Sequence, residues 1–270
     1  MKNIAILYIC TGSYVKLWQD FYVSFEKNFL ESCNKEYFVF TDAAELYGER
    51  NNKRIHRIYQ ENLGWPGNTL FRFRIFDSVR DRLQSFDFVF FMNADIVCNE
   101  AVSEEMFLPS EGELLVVQHP GYFQKKPYEY AYDRNRKSSA YMSYLEGKVY
   151  VCGGVNGGST SVFLHMVSVL KKRIDEDYSK GMIAKWHDES HINRYIWENS
   201  NYRILSPAFC YPEGWDLPFD PILIVRNKSR IIELDPDKVR RQIRKVHIWE
   251  SAWKRLKNIW WKMVYCCLGR

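Results

Sequence analysis

The sequence predicts an α/β fold with a mainly parallel central sheet. Short apolar runs alternate with segments in which apolar residues recur at helical spacing. This alternation is typical of βαβ units, which build parallel sheets. Polar or glycine residues follow several of the apolar runs directly. Because ligands of open α/β sheets bind beyond the carboxyl ends of the strands, these polar positions are the first candidates for a functional site.

The first strand and helix are predicted at the amino terminus. Residues 4–9 form an apolar run that predicts a buried strand, and residues 11–13 predict a turn with Ser13 as the N-cap of a helix. The helix is expected to reach about Leu30, because large apolar side chains recur at helical spacing. They are Tyr14, Leu17, Trp18, Phe21, Phe25 and Phe29.

The next elements continue the alternation. Residues 37–40 predict a second strand, and Asn68 and Thr69 are expected to cap a helix that runs to about Leu83. Residues 86–92 predict a strand that stops abruptly at Asn93-Ala94-Asp95. A carboxylate at such a strand end can hold a metal ion, a ribose or a phosphate-bound cation, so Asp95 is a candidate by its location alone.

The second half begins with a predicted strand at residues 114–117, followed by irregular sequence at 121–143. Residues 153–158 are rich in glycine but lack the lysine of a phosphate loop and do not match the dinucleotide fingerprint. They predict either a tight turn or a close approach of backbone to ligand. Helices are expected at 159–174 and 188–197, and a loop at 207–221.

Three further positions allow a structural or a functional interpretation. Asp188 and Glu189 begin a predicted helix, and in the structural interpretation Asp188 is a plain N-cap. In the functional interpretation Glu189 faces a cavity as a nucleophile or electrostatic stabiliser of an oxocarbenium-like centre. His119 lies just past a strand, where a lone histidine is more often structural than catalytic. Arg72 on a helix is usually a solvated charge.

The composition excludes several classes of protein. The net charge of +5 comes from the C-terminal part: residues 222–270 carry 13 Lys/Arg against 4 Asp/Glu, and the rest carries 25 against 29. Nucleic-acid binding by the body of the protein, residues 1–221, is therefore not expected.

The cysteines and the apolar runs bear on the compartment. The 7 cysteines contain no Cys-x-x-Cys pair, and neither a signal peptide nor a run of transmembrane length is present. These features predict a cytoplasmic protein.

The chain is expected to consist of a domain at residues 1–235 and a tail at residues 236–270. In the tail, apolar residues recur at steps of three and four with lysine and arginine between them: Val246, Trp249, Trp253, Leu256, Trp260, Met263 and Cys267. The pattern predicts a basic amphipathic helix, and we favour peripheral binding to an anionic membrane surface on the inner face. Packing on the protein body or self-association is the alternative.

Several motifs, taken together and in order, resemble glycosyltransferase family 6, which includes the blood group A and B transferases and α-1,3-galactosyltransferase. They lie at residues 119–123, 130–134, 153–159, 186–193 and 205–207. The resemblance implies a GT-A-type fold. It also implies transfer of galactose or N-acetylgalactosamine from a UDP-sugar donor to a galactose-terminated glycan acceptor, in α-1,3 linkage with retention.

The resemblance also implies roles for individual residues, and Glu189 falls on the catalytic glutamate. The expected donor-binding residues are Ile9, Thr11, Tyr14, Arg72, Asn93, Asp95, Cys152, Gly153, Gly154, His187, Asp188 and Lys228. The expected acceptor-binding residues are His119, Ala131, Trp186 and Glu213. The family has threonine where this chain has Ala131, which weakens that polar contact.

Two positions bear on the donor and on the metal. Gly154 falls where, in the blood group enzymes, glycine accompanies N-acetylgalactosamine and alanine accompanies galactose, which favours UDP-N-acetylgalactosamine. Asn93 and Asp95 fall on the metal-binding Asp-x-Asp of the family, and an amide is a weaker ligand for Mn²⁺ than a carboxylate. We therefore favour metal-independent transfer, with Mn²⁺ held through Asp95 as the alternative. A galactosyltransferase, a fucosylated acceptor and an inactive glycan- or nucleotide-binding module remain open.

Overall fold

The structure is a computed structural model, and it describes residues 1–232. The predicted tail and its membrane contact lie outside the described residues. Within the described part, no helix is both long and apolar enough to cross a lipid bilayer.

Within residues 1–232, ten strands form two sheets. The strands are β1 (Asn3–Ile9), β2 (Asn34–Thr41), β3 (Ile55–Tyr59), β4 (Phe88–Met92), β5 (Ile96–Cys98), β6 (Leu114–Gln118), β7 (Val151–Ser159), β8 (Tyr202–Leu205), β9 (Tyr211–Pro212) and β10 (Leu223–Val225). The central sheet has seven strands in the order β3-β2-β1-β4-β7-β6-β8, and the small sheet has the order β5-β10-β9. In the central sheet β7 runs antiparallel to both of its neighbours, and the other pairings are parallel. The prediction of an α/β protein with a mainly parallel sheet is confirmed.

In the part of the chain that the structure describes, seven α-helices cover the sheet. They are α1 (Trp18–Asn28), α2 (Gly64–Leu70), α3 (Arg72–Asp77), α4 (Arg80–Leu83), α5 (Glu104–Phe107), α6 (Thr160–Ser179) and α7 (His187–Glu198). Alternation along β1 divides the core between two faces. Ile6 and Tyr8 belong to a cluster with Trp18 and Phe21 of α1, whereas Leu7 belongs to the cluster that contains the buried side chains of α3 and α6. The arrangement is a sheet between two layers of helices.

The glycine-rich segment is a central strand rather than a turn, so the turn interpretation is wrong. All nine residues of β7 are buried. A Cβ on Gly157 would lie 2.2 Å from a ring carbon of Phe90, and one on Gly158 would lie 2.4 Å from the carbonyl oxygen of Glu113. Glycine is needed here because the neighbouring strands β4 and β6 approach too closely for a side chain.

The helix boundaries differ from the predicted ones for local reasons. Ser13 is not an N-cap: a 3-10 helix (Gly12–Leu17) precedes α1. The single helix expected from residue 68 to 83 is three short helices that begin at Gly64. Asn68 lies inside the first of these, where its side-chain oxygen accepts from the N–H of Leu63. Residues 207–221 include a 3-10 turn and β9 rather than a continuous loop.

Candidate active site

A cleft of about 460 Å³ opens at the carboxyl ends of β1 and β4. Its volume lies within the range of about 300–1,000 Å³ typical of small-molecule sites. Residues at the start of β7 and in the first turn of α7 also line the cleft. The position agrees with the rule that ligands of open α/β sheets bind beyond the strand ends, and it brings together residues that lie far apart in the chain.

Most of the predicted site residues line this cleft. They are Ile9, Thr11, Tyr14, Arg72, Asn93, Asp95, Gly153, Gly154, Trp186, His187, Asp188, Glu189 and Lys228. The other predicted residues are not part of its lining: Cys152, His119, Ala131 and Glu213. Residues that were not predicted as site residues also line the cleft. They are Asn62, Gly64, Trp65, Phe91 and Ala94, together with Ser13, Asn68 and Thr69, which were predicted only as helix caps.

The Glu189 carboxylate is fixed by a hydrogen bond at each oxygen. The hydroxyl of Tyr150 donates to Oε1 at 2.7 Å, and the backbone N–H of Gly153 donates to Oε2 at 2.8 Å. Burial raises the pKa of Glu189, while these two hydrogen bonds and the charge of Arg72 oppose the rise. The site therefore holds an oriented carboxylate in a poorly solvated setting, as a nucleophile or an electrostatic stabiliser requires.

Arg72 and Asp188 form a buried charge pair beside Glu189. The Arg72 Nε lies 3.1 Å from the Asp188 Oδ2, in a geometry that is not a hydrogen bond, and both side chains are almost inaccessible. The Arg72 Nη1 donates to the carbonyl oxygen of Gly153 at 2.7 Å, and the guanidinium lies 4.4 Å from the ring centre of Phe91. The interpretations of Arg72 as a solvated charge and of Asp188 as a plain N-cap are therefore wrong.

The ionisation of Asp188 follows from this burial. Burial raises the pKa of Asp188 to about 7, against the lowering effect of the Arg72 charge, and the neighbouring Glu189 raises it further. Two carboxylates at successive positions of α7 thus share one buried guanidinium. The arrangement places a concentrated set of charges at one end of the cleft.

The mouth of the cleft is aromatic. Trp65 is 60% exposed, and its ring meets that of His187 edge to face with centroids 5.1 Å apart. His187 has a φ of +50°, a left-handed conformation that is rare outside glycine and turns its side chain at the start of α7. Burial, with Arg72 as a second cause, lowers the pKa of His187, so the ring is neutral near pH 7.

Asparagine side chains line the cleft near the end of β1. Asn68 Nδ2 donates to Thr11 Oγ1 at 2.9 Å and to Asn62 Oδ1 at 3.1 Å. These residues follow β3, a strand that the sequence analysis missed. The position of Asn62 and Asn68 shortly after a strand is the signal that identifies them once that strand is recognised.

Asp95 is buried and paired with Lys228. The Lys228 Nζ lies 2.7 Å from Asp95 Oδ2, whereas Oδ1 is buried and has no hydrogen-bond partner. Burial lowers the pKa of Lys228, but the charge of Asp95, with a smaller effect of Tyr14, outweighs it, so the net effect is a raised pKa and a protonated lysine. The carboxylate at the strand end is therefore already neutralised by a cation from this chain.

The residues present are a poor fit for a divalent metal ion. Asp95 is the one carboxylate of the Asn93-Ala94-Asp95 triplet, and the Lys228 ammonium occupies one of its oxygens. Among residues 1–232, no group of three or more histidine, cysteine, aspartate or glutamate side chains is arranged to hold a metal. Hard divalent cations in proteins are usually held by several oxygen ligands.

Two of the predicted acceptor residues, His119 and Ala131, do not line the cleft but lie near Tyr150, whose hydroxyl contacts Glu189. His119 and Ala131 belong to an aromatic layer around Tyr150, and the ring of His119 lies 5.6 Å from that of Tyr150. His119 Nδ1 accepts from the N–H of Gly121 at 3.0 Å. Burial lowers the pKa of His119 to about 4, so this acceptor nitrogen stays unprotonated.

The remaining predicted residues support the site from outside. Glu213 Oε2 accepts from the N–H of Asn227 at 2.6 Å and so holds the turn that carries Lys228. Cys152 is buried next to Gly153, and a side-chain hydrogen bond to Cys152, together with burial, raises the pKa of Cys210 well above its usual value. The Cys210 thiol is therefore expected to be unreactive.

The model of "Glycosyltransferase family 6" matches residues 2–231. The O-antigen biosynthesis glycosyltransferase WbnI of Escherichia coli is 35% identical over 227 residues, which cover 84% of this chain and 95% of the relative.

Vertebrate relatives are more distant. The globoside alpha-1,3-N-acetylgalactosaminyltransferase 1 of Gallus gallus is 24% identical over 82% of this chain and 65% of its own length. The histo-blood group ABO system transferase 1 of Rattus norvegicus is 28% identical over 72% and 60%. The chain thus spans less than two thirds of these two relatives. Because the family match extends over nearly all the residues that build the sheet and the cleft, the chain belongs to glycosyltransferase family 6.

Proposed function

We propose that this glycosyltransferase transfers N-acetylgalactosamine from UDP-N-acetylgalactosamine to a galactose-terminated glycan, in α-1,3 linkage and with retention, on a GT-A-type fold. The observation that carries the proposal is the Glu189 carboxylate. It lines the cleft with both oxygens hydrogen-bonded, one to Tyr150 and one to the N–H of Gly153, and the polar end of β4 lines the same cleft. A fixed carboxylate beside a sugar site is the group that a retaining mechanism needs.

The nucleotide is assigned to the β1 side of the cleft. Ile9, Thr11 and Tyr14 lie there, and the hydroxyl and asparagine side chains around Thr11 offer donors and acceptors for a ribose and a uracil. The diphosphate then lies near Lys228, whose ammonium is the cation at the end of β4. Arg72 adds positive charge near the donor sugar.

In this arrangement the leaving diphosphate and the developing positive charge have separate partners. Lys228 stabilises the negative charge on the departing UDP as the bond from the anomeric carbon to the phosphate oxygen breaks. Glu189 stabilises the positive anomeric carbon or forms a glycosyl ester with it. The acceptor oxygen then bonds to the anomeric carbon on the original face, displacing Glu189 where the ester has formed, and its proton passes to a phosphate oxygen of the departing UDP. Positioned side-chain cations can thus supply part of the electrostatic stabilisation that a metal provides in other enzymes.

The choice of N-acetylgalactosamine is supported by the space at Gly154. A Cβ at this position would lie 3.0 Å from Asn93 Nδ2 and 3.4 Å from its Cγ, tighter than ordinary contact. The absent side chain leaves that space to the substrate and to Asn93. Galactose transfer is the second candidate, and the 25% identity to the human "Alpha-1,3-galactosyltransferase 2" is the observation that favours it.

The acceptor is assigned to the side of Glu189 that faces Trp186 and the aromatic layer with His119 and Ala131. Trp186 is 41% exposed at the cleft, where its ring can stack on the apolar face of a sugar. Glu213 is engaged by Asn227, so we assign it a supporting role rather than an acceptor contact. Fucosylated and plain galactosides are both acceptors to be screened.

The substitution Glu189→Gln tests the catalytic assignment. We expect sugar transfer to fall by at least about a hundredfold, because the amide carries no charge to stabilise the anomeric centre, while the Kd for UDP stays within about twofold. Glu36→Gln is the control, since Glu36 pairs with His56 on β2 and β3, outside the cleft. Near-normal turnover of Glu189→Gln removes Glu189 from the catalytic role.

A further inference from the structure

We propose that Tyr150 is a positioning residue that holds the Glu189 carboxylate in its reactive orientation through a single hydroxyl. The proposal rests on the catalytic role proposed for Glu189. Tyr150 is not part of the cleft lining and does not touch the reacting atoms, so it acts through Glu189 alone.

The hydroxyl of Tyr150 is fixed by the packing of its ring. Tyr150 is 1% exposed, and its hydroxyl donates to Glu189 Oε1 at 2.7 Å. The ring is surrounded by Tyr122, Tyr132 and His119, with centroid distances of 4.6, 5.3 and 5.6 Å. A buried aromatic ring enclosed on several sides loses little further freedom when its hydroxyl makes a hydrogen bond, so the donor is preorganised.

The two donors to Glu189 come from one rigid segment. Tyr150 directly precedes β7 and Gly153 lies within it, so the side-chain hydroxyl and the backbone N–H reach the carboxylate from the same strand. Asn193 locks α7 to this strand, because its amide exchanges hydrogen bonds with both the N–H and the carbonyl oxygen of Val151 at 2.9 Å. A shift of β7 is therefore expected to move both hydrogen-bond donors of the Glu189 carboxylate.

The hydrogen bond has two consequences for Glu189. With one donor on each oxygen, the carboxylate cannot rotate without breaking a hydrogen bond to a charged group. The ionised form is also favoured, because Tyr150 and Gly153 offset the effect of burial on the pKa of Glu189. Tyr150 itself remains protonated as a donor, since burial and the Glu189 charge raise its pKa well above the usual value.

The substitution Tyr150→Phe removes the hydroxyl and keeps the ring. We expect kcat to fall by about ten- to a hundredfold, the range for one hydrogen bond to a charged group, while the KM for the UDP-sugar stays within about twofold. The pKa of Glu189 rises when the donor is lost, so a higher pH is needed to ionise it. The acidic limb of the pH–kcat profile is therefore expected to move to higher pH.

Two matched variants separate this effect from a loss of stability. Tyr37 is a buried tyrosine whose hydroxyl donates to the Glu26 carboxylate at 2.8 Å in the opposite part of the core. Tyr132 packs against Tyr150, but its hydroxyl donates to the carbonyl oxygen of Val149 at 2.6 Å. Tyr37→Phe and Tyr132→Phe lose a comparable hydrogen bond, and we expect both to keep the wild-type acidic limb. The Tm of each variant is measured alongside.

The double variant Glu189→Gln/Tyr150→Phe completes the test. Because Tyr150 acts through Glu189, its substitution is expected to change the residual rate of Glu189→Gln by less than about twofold. If Glu189→Gln is inactive while Tyr150→Phe has the wild-type kcat and acidic limb, the inference on Tyr150 is wrong and the proposed function stands. If Glu189→Gln is itself active, the proposed function is wrong, and the inference on Tyr150, which rests on it, is wrong as well.

Discussion

At the scale of single residues, Gly154 and Asn93 lie in contact at the end of β4, in the part of the cleft that is proposed to bind the donor sugar. The N–H of Asn93 donates to the carbonyl oxygen of Gly154 at 2.8 Å, and the Asn93 side chain lies where a Cβ of residue 154 would point. A change at one position therefore forces a change at the other. The sequence predicted both residues for the donor site, but it gave no sign that they are in contact.

The substitution Gly154→Ala is predicted to change the donor preference. The added methyl takes up space beside Asn93 that the acetamido group is expected to need. One methyl in a pocket discriminates by about 1–3 kcal/mol, so the ratio of kcat/KM for UDP-N-acetylgalactosamine over UDP-galactose should fall by about 10- to 200-fold. The measurement is kcat/KM for each donor with one galactoside acceptor. An unchanged ratio contradicts the steric account.

At the scale of elements, the 3-10 turn (Lys228–Arg230) carries the cation of the site. The Glu213 carboxylate holds its start through Asn227, and Arg226 donates its N–H to the carbonyl oxygen of Asp95 at 2.8 Å. These contacts place Lys228 next to Asp95. The sequence alone could not establish that Lys228 is the lysine of the site, because the turn that carries it depends on contacts with residues far away in the chain.

This geometry predicts metal-independent transfer, because Lys228 already supplies a positive charge at Asp95. Turnover is expected to be unchanged by EDTA and not increased by Mn²⁺. Lys228→Ala is predicted to lower kcat by about tenfold or more, since one charged stabilising group is lost. Lys171→Ala, which removes a partly exposed ion pair with Asp77, is the control. Complete loss of turnover in EDTA with rescue by Mn²⁺ would show that a metal is required.

The elements show where sequence reasoning succeeds and where it stops. The apolar runs identified β1, β2, β4 and β6, and helical spacing identified α1, because burial of one face is visible in the residue pattern; helices were also predicted close to α6 and α7. The strand β7 was not recognised, since its glycines carry no side chains and are selected by the close approach of β4 and β6. The role of Arg72 was visible only through the family resemblance, because its partner Asp188 lies more than a hundred residues away.

At the scale of the whole molecule, the strand order explains why scattered motifs form one site. The adjacent strands β1 and β4 end at the same edge of the sheet, and β7 enters antiparallel beside β4 with its first residues at that edge. The predicted donor-binding residues, the Glu189 carboxylate and the Lys228 ammonium therefore line one cleft, although they are spread along the chain from β1 to residue 228. Thr11 and Lys228 line one cleft because of this topology and not because of their sequence neighbours.

The tail at residues 236–270 is proposed to bind an anionic membrane surface, on the basis of its basic amphipathic sequence pattern. Truncation after Arg241 is predicted to abolish co-sedimentation with liposomes that contain anionic lipid and to leave kcat toward a soluble acceptor within about twofold. Liposomes of neutral lipid are the control for the electrostatic contribution. Unchanged co-sedimentation of the truncated protein would refute the anchor, and packing or self-association of the tail would then be the explanation.

The central claim is that the enzyme transfers N-acetylgalactosamine with retention and that Glu189 is the catalytic carboxylate of the cleft. The most direct measurement is the NMR spectrum of the product formed from UDP-N-acetylgalactosamine and a galactose-terminated glycan, offered with and without fucose. The account predicts an α-linked N-acetylgalactosamine at the 3-hydroxyl of galactose, formed by the wild-type enzyme and absent with Glu189→Gln. A β-linked product, or equal turnover of the two proteins, would contradict it.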